Sequence, residues 1–323
     1  MKNWMIAVVV AVTMAAAVAH AQGQAPAAAA KPDSAQVKAD LEKVKKMAGE
    51  AWAVEEHFFC EDPHANQAND PVIEPTKIFD NVYAVGRSSV VVYAITTSEG
   101  IVLLDSGYAN DTESVLIPGL KKVGLDPANV KDILVMHGHG DHFGGSAYMQ
   151  EHFGAHIYVS ALDWDLIEHP TNPNAAKVPA PGRDKIITEG QPIVVGDEKF
   201  MPVAVPGHTP GAVGVIFPVK DQGKTYMAAL YGGLILTPNR ISDEGLQQYL
   251  QSVAHFKDEA KKANVEVEIE NHPLMDDMAG KLDKLKDRKS GQPNPFVVGK
   301  ANYQTFMDVM AACTQVEVDR RKE

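Results

Sequence analysis

"VKDILVMHGHGDHFGG", residues 130–145, decides how the rest of the chain is read. Its first seven residues are apolar apart from Lys131 and Asp132, the pattern of a buried strand bounded at Met136. Three histidines and an aspartate then follow within six positions, separated only by Gly138 and Gly140. Neutral imidazole and carboxylate are the donors that zinc and related divalent ions prefer, whereas structural zinc sites are usually closed by cysteines. His137 and His139 can turn toward one point, while Asp141 and His142 address a second. The two glycines are read as granting backbone conformations that a β-carbon resists.

Two more histidines stand at the ends of apolar segments: His208 in "MPVAVPGHTPG" (201–211) and His272 in "VEVEIENHP" (265–273). Upstream, "IFDNVYAVG", "SSVVVYAITT" and "GIVLLDSG" predict an antiparallel meander from about Lys77 onward. "AHIYVS", "GQPIVVG", "EKFMPVAVP", "AVGVIFP" and "TYMAALYG" read as further strands. Helical spacing covers Asp111–Gly124, Gly145–Phe153, Ala161–Glu168, Gly245–Lys262 and Asn302–Arg320. Strands with interspersed helices predict a layered α/β sandwich. Pro170–Arg183, with four prolines, reads as a long surface loop flanking a site.

Met1–Ala21 has a charged start, an apolar run and an Ala-x-Ala end, the pattern of a secretory signal peptide. Residues 22–70 read as a linker and an N-terminal helix, and 71–323 as the principal domain. Val37, Leu41, Val44, Ala48 and Ala51 give that helix its apolar spacing, with Asp33 or Ser34 as its cap. It is expected to lie outside the catalytic core. No later segment is long and apolar enough to span a bilayer. A formal net charge of −12 excludes the basic surface that nucleic acid requires. Cys60 and Cys313 are the two cysteines, and either one disulfide or two buried thiols fits them. No G-x-S-x-G segment supports a serine nucleophile. His57, His64, His152, His156, His169 and His255 lack ligand-like spacing, and Trp164 reads as core.

HGHGDH, then GHTPG, then NHP is a pattern that resembles the metallo-β-lactamase-fold hydrolase superfamily, over about Phe79 to the C-terminus. The resemblance implies a four-layer αββα sandwich. It also implies two Zn2+ ions, one held by His137, His139 and His208 and the other by Asp141, His142 and His272. Asp141 would also be catalytic, orienting a water for attack on a carbonyl. Asp105 of "LLDSG" would accept from a metal-bound histidine. The expected partner is a small amide or ester substrate, a β-lactam among the candidates, in the periplasm or outside the cell.

"AALYGGLIL" departs from many relatives, which carry a metal-binding aspartate where Gly232-Gly233 stands here. The remaining six donors resemble the ligand set of the third subclass of metallo-β-lactamases. That subclass usually has serines at this strand end, which help hold a substrate carboxylate. Thr237, Lys177 and Arg183 are the candidates to replace them. The alternatives are a mononuclear iron oxidoreductase of the same fold, similar to persulfide dioxygenases, and a lactonase-type hydrolase.

Overall fold

The computed structural model describes residues 32–61, 70–236 and 241–322. Met1–Ala21, read above as a signal peptide, the expected linker to Lys31, His64 and Thr237 lie outside the described residues. Seven strands build one sheet: β1 (Thr76–Phe79), β2 (Val82–Gly86), β3 (Val91–Thr97), β4 (Gly100–Leu104), β5 (Val130–Leu134), β6 (His156–Ser160) and β7 (Lys185–Ile187). They lie in sequence order, antiparallel through β4 and parallel from there to β7. Five build the other: β8 (Ile193–Val195), β9 (Glu198–Ala204), β10 (Val213–Asp221), β11 (Lys224–Leu230) and β12 (Val267–Glu268), in the order β12-β11-β10-β9-β8. The helices are α1 (Ala35–Ala48), α2 (Ala53–Glu56), α3 (Ile117–Lys122), α4 (Gly140–Phe143) and α5 (Ser146–Phe153). After them come α6 (Ala161–Glu168), α7 (Asp243–Ala263), α8 (Met278–Lys286) and α9 (Lys300–Arg321).

Alternation along the strands sets the layers, because successive side chains point to opposite faces. On β3, Val91, Tyr93 and Ile95 enter the core between the sheets, while Val92 and Ala94 face the helices beyond. On β10, Val215, Phe217 and Val219 meet them from the second sheet, while Ile216 faces the opposite helical layer. With both faces covered, the strands are apolar almost throughout. The result is the expected four-layer α/β sandwich.

Four features differ from the sequence reading. The strand before HGHGDH ends at Leu134 rather than Met136. Met136 has left the ladder, its N–H donating to Asp105 and its carbonyl accepting from Val213 N of the second sheet. "VEVEIE" contributes only the two residues of β12. Beyond them, the Glu270 carboxylate turns to accept from Tyr231 N. Strand β7 and helix α8 were not anticipated. Finally, α1 does not stand apart. Ser34 caps it by accepting from Val37 N, and Val44, Ala48 and Trp52 join the core beside α7 and α9. Residues 34–323 cluster as one compact unit. Among the described residues no helix is long and apolar enough to cross a membrane.

Cys60 and Cys313 are joined in a disulfide that fastens the segment after α2 to α9, across 253 residues of sequence. The sequence left bridge and free thiols open; the structure has the bridge.

Candidate metal centre

The ends of β4 and β5 carry the first half of the site. Asp105 follows β4 with a left-handed backbone (φ 62°) and is fully buried. One of its oxygens accepts from Met136 N (2.8 Å), and the other meets His142 Nδ1 (2.8 Å) and Asn271 Nδ2 (2.9 Å). The chain leaving Met136 carries His137 and His139, then turns into the single-turn helix α4, which presents Asp141 and His142. His208 enters from the loop between β9 and β10, and His272 from the loop after β12.

Six side chains expected to work together therefore converge, and they do so as two triads. His137, His139 and His208 form one, and Asp141, His142 and His272 the other, with the donor atoms of each within 4.8 Å of one another. The tautomers follow from the outer partners. His208 Nδ1 donates to Ile235 O (2.7 Å), His272 Nδ1 to Ser89 O (2.8 Å) and His142 Nδ1 to Asp105. Each of these rings therefore turns Nε2 inward. His142 Nε2 and His272 Nε2 stand 3.2 Å apart, so two lone pairs face each other unless a cation lies between them. Neither nitrogen of His137, which is 1 % exposed, has a hydrogen-bond partner. Buried polar atoms are rarely left so. Nitrogen and oxygen donors, inward lone pairs and orphaned imidazole nitrogens together fit a pair of divalent ions.

Protonation supports the same assignment. Burial, reinforced by the surrounding imidazoles, holds His137 and His208 well below the usual histidine range, and burial brings His272 down to about 4. His142 goes the other way: burial opposes its charge, but Asp141 and Asp105 outweigh it and raise it to about 10. A metal ion that takes His142 as a donor must displace its proton. Burial likewise opposes charge on Asp141, yet His142 and His272 hold its carboxyl well below the carboxylate range.

A residue absent from the expected set ties the two metal loops together. Asp163, on α6 and fully buried, accepts from Gly138 N (2.7 Å), Thr209 Oγ1 (2.6 Å) and Gly211 N (2.8 Å). One carboxylate thus braces the loop of His137 and His139 against the loop of His208. Its sequence signal was ambiguous, because Ser160-x-x-Asp163 reads as a helix-capping box. Ser160 does cap α6, accepting from Asp163 N, but the carboxylate turns away to the loops. Asn271 was also passed over, and nothing in its spacing marks it as a partner of Asp105.

The glycines of HGHGDH serve close approach rather than unusual dihedrals; neither has a positive φ. A β-carbon on Gly140 would fall 2.7 Å from Val178 Cγ2, and one on Gly138 3.1 Å from Asp163 O. Gly232 and Gly233 likewise leave no room for a carboxylate. A β-carbon at Gly232 would fall 2.0 Å from Val213 O, and one at Gly233 2.7 Å from His208 Cβ.

The triads open into a cleft of about 680 Å3, walled by Tyr108, Asn110 and the 172–179 segment. Lys177 lines this cleft, whereas Arg183 is held by Asp165 and Glu168. Trp164 is fully buried, its indole N–H bonded to Lys185 O, and it belongs to the core. The described remaining histidines have ordinary partners: His57 meets Glu61, His152 Tyr148 O, His156 Asp184, His169 Asp165 O and His255 Glu189.

Residues 85–221, which run from β2 through β10 and include five of the six donors, match the profile of the metallo-beta-lactamase superfamily. The chain carries a metallo-beta-lactamase superfamily domain. A subclass B3 metallo-beta-lactamase of Bradyrhizobium japonicum superposes with a TM-score of 0.64 at 27 % identity, over 77 % of this chain and 93 % of that one. The metallo-beta-lactamase from Legionella gormanii shares the fold, with a TM-score of 0.69 at 23 % identity, over 79 % and 98 % of the two chains. In sequence, a hydroxyacylglutathione hydrolase of Mesorhizobium japonicum is 30 % identical over 113 residues, 35 % of this chain and 38 % of that protein. The chain spans between two fifths and about half of the length of the first curated relatives it matches.

Proposed function

We propose that this metallo-beta-lactamase superfamily protein is an exported, zinc-dependent hydrolase of a small ester or amide. The observation that carries the reading is the pair of triads, complete with outer hydrogen bonds, at the floor of an open cleft. His137, His139 and His208 would hold one ion, and Asp141, His142 and His272 the other. Two such ions, when bound, supply Lewis acidity, making water a nucleophile near neutral pH and polarising a carbonyl. The chain's own groups supply placement. Asp105 and Asn271 orient His142, while the Ser89 and Ile235 carbonyls fix the tautomers of His272 and His208. Asp141, half-buried and held ionised, is placed to accept a hydrogen bond from the attacking water and so aim its lone pair.

Six donors in two groups favour a dinuclear centre over the single iron of an oxidoreductase. The gap at Gly232-Gly233 favours a B3-like ligand set over one with a bridging aspartate. The export proposal is supported by the Met1–Ala21 pattern and by the Cys60–Cys313 disulfide, a bond kept in oxidising compartments.

The test is turnover of β-lactams, lactones, simple esters and hydroxyacylglutathiones by the zinc-loaded protein, with His137→Ala run in parallel. At least one class should be hydrolysed, with loss in the variant and after chelation. Turnover that survives in His137→Ala, or none from the loaded wild type, counts against the proposal.

A further inference from the structure

Asp163 braces the loops of the first triad, and the second triad has a support of its own. His272 donates its Nδ1 proton to Ser89 O (2.8 Å), and the carbonyl of its neighbour Asn271 accepts from Val91 N (2.9 Å). The hairpin between β2 and β3 is therefore what the His272 segment rests on. Arg87 N donates to Val90 O (2.9 Å) and closes that hairpin. Gly86, at φ 136°, opens it where a β-carbon would fall 2.5 Å from Val90 O.

A carboxylate that precedes β1 in the chain grips this hairpin. One oxygen of Asp70 accepts from Ser89 N (2.8 Å) and Ser88 Oγ (3.1 Å), and the other accepts from Ser89 Oγ (2.7 Å). Ser88 N donates to Pro71 O (2.9 Å), so residues 70 and 71 hold the same two serines by side chain and backbone. Arg87 returns the hold. Its Nη1 donates to Asp70 O (2.8 Å), while Nε and Nη2 fork onto Asp111, next to Asn110 of the cleft wall. Asp70, Arg87, Ser88 and Ser89 are all partly buried. Hydrogen bonds to a carboxylate are strong ones, and three converge here on a single turn.

Ser89 is the joint. Its N–H and hydroxyl face Asp70, and its carbonyl faces His272. Whatever fixes this residue fixes the acceptor that sets the tautomer and ring orientation of a metal donor. None of these bonds reaches His137, His139 or His208.

We propose that Asp70 is a positioning residue for the second triad: through Ser89 it sets the reach of His272, and so the affinity of that triad alone for its ion. This rests on the two-triad reading of the site, and metal binding measures it without turnover.

The experiment titrates the zinc-loaded full chain with a chromophoric chelator and follows the two ions separately. Asp70→Ala should weaken the more affected ion about tenfold, the lower end for outer partners of metal ligands because Asp70 acts through Ser89. The other ion should stay within about twofold, as expected for a site that shares no partner with the change. Asp70→Asn, whose amide still accepts from Ser89 N and can donate to Ser89 Oγ, should restore most of the loss. In nitrogen-labelled protein, the His272 Nδ1 proton should exchange with water faster in Asp70→Ala, while that of His208, held by Ile235 O, is unchanged. If Asp70→Ala does not fold, Ser88→Ala with Ser89→Ala removes two arms of the same grip and is judged by the same selectivity. Both ions weakened alike, neither weakened, a His272 proton that exchanges as in wild type, or a wild type that holds no second ion overturns the proposal. Selective loss in a protein whose wild type hydrolyses no carbonyl compound refutes the hydrolase reading and leaves the assignment of Asp70 standing.

Discussion

Replacing Asp163 with asparagine removes almost no volume and tests whether one carboxylate holds the two metal loops together. In the wild type its two oxygens serve three donors: Gly138 N, Thr209 Oγ1 and Gly211 N. Asparagine keeps one acceptor oxygen and turns an N–H2 group toward whatever the other oxygen served. If the amide oxygen stays with Gly138 and Thr209, Gly211 N–H is orphaned; in the flipped rotamer two donors are. Each buried donor left unsatisfied costs about 1–3 kcal/mol. Neutralising a fully buried carboxylate returns part of that, and with one donor orphaned the net loss should be about 1–2 kcal/mol by urea unfolding of the metal-free protein. The consequence for the site should exceed the consequence for the fold, because the brace sets the separation of His137 and His139 from His208. Zinc affinity, measured by competition with a chromophoric chelator, should fall about 10–100-fold, as when outer partners of metal ligands are removed. An Asp163→Asn protein with wild-type zinc affinity would refute the reasoning, whatever its stability.

Three other perturbations follow from the same geometry. Gly233→Ala places a β-carbon against His208 on a left-handed backbone (φ 72°), which costs about 1–2 kcal/mol before any overlap is counted. It should lower both unfolding stability and the metal content of the His137, His139, His208 triad, and unchanged metal content would contradict the steric account. Removing the disulfide by Cys60→Ser with Cys313→Ser opens a closure of 253 residues, for which chain entropy gives up to about 5 kcal/mol; denaturant midpoints under oxidising conditions measure it. Burial raises Glu55 to about 8 against the opposing pull of Lys281, so the folded protein keeps this carboxyl neutral where the unfolded chain ionises it. Its contribution is complete below about pH 4.5 and is lost as pH rises toward 8, so Glu55→Gln should flatten the fall in stability over that window.

The six donors were legible because histidine is scarce, the first four are adjacent, and each of the other two follows an apolar strand and a glycine or asparagine. The layers were legible because the strands carry apolar side chains on alternate faces. What escaped depends on contacts that spacing does not encode. Asp163 imitates an ordinary helix cap, and only the fold shows its carboxylate turned to two distant loops. Gly140 looked like a conformational device, and the reason for it is Val178, brought over it by the 170–183 segment. Strand β7 has three residues, too few to show a period. The pairing of Cys60 with Cys313 was undecidable because their Cα separation of 4.8 Å is a tertiary fact. The N-terminal helix looked detachable since its apolar face is narrow, yet that face is what α9 covers.

The most direct test of the account is the metal content of the purified protein and of two variants, one from each triad. Wild type should carry about two zinc ions per chain, as two triads require. His208→Ala and His272→Ala should each retain about one, with hydrolysis lost in both and in the chelated wild type, and restored to wild type by zinc. A single iron per chain, or variants that keep both ions, would contradict the assignment of the triads and with it the proposed chemistry.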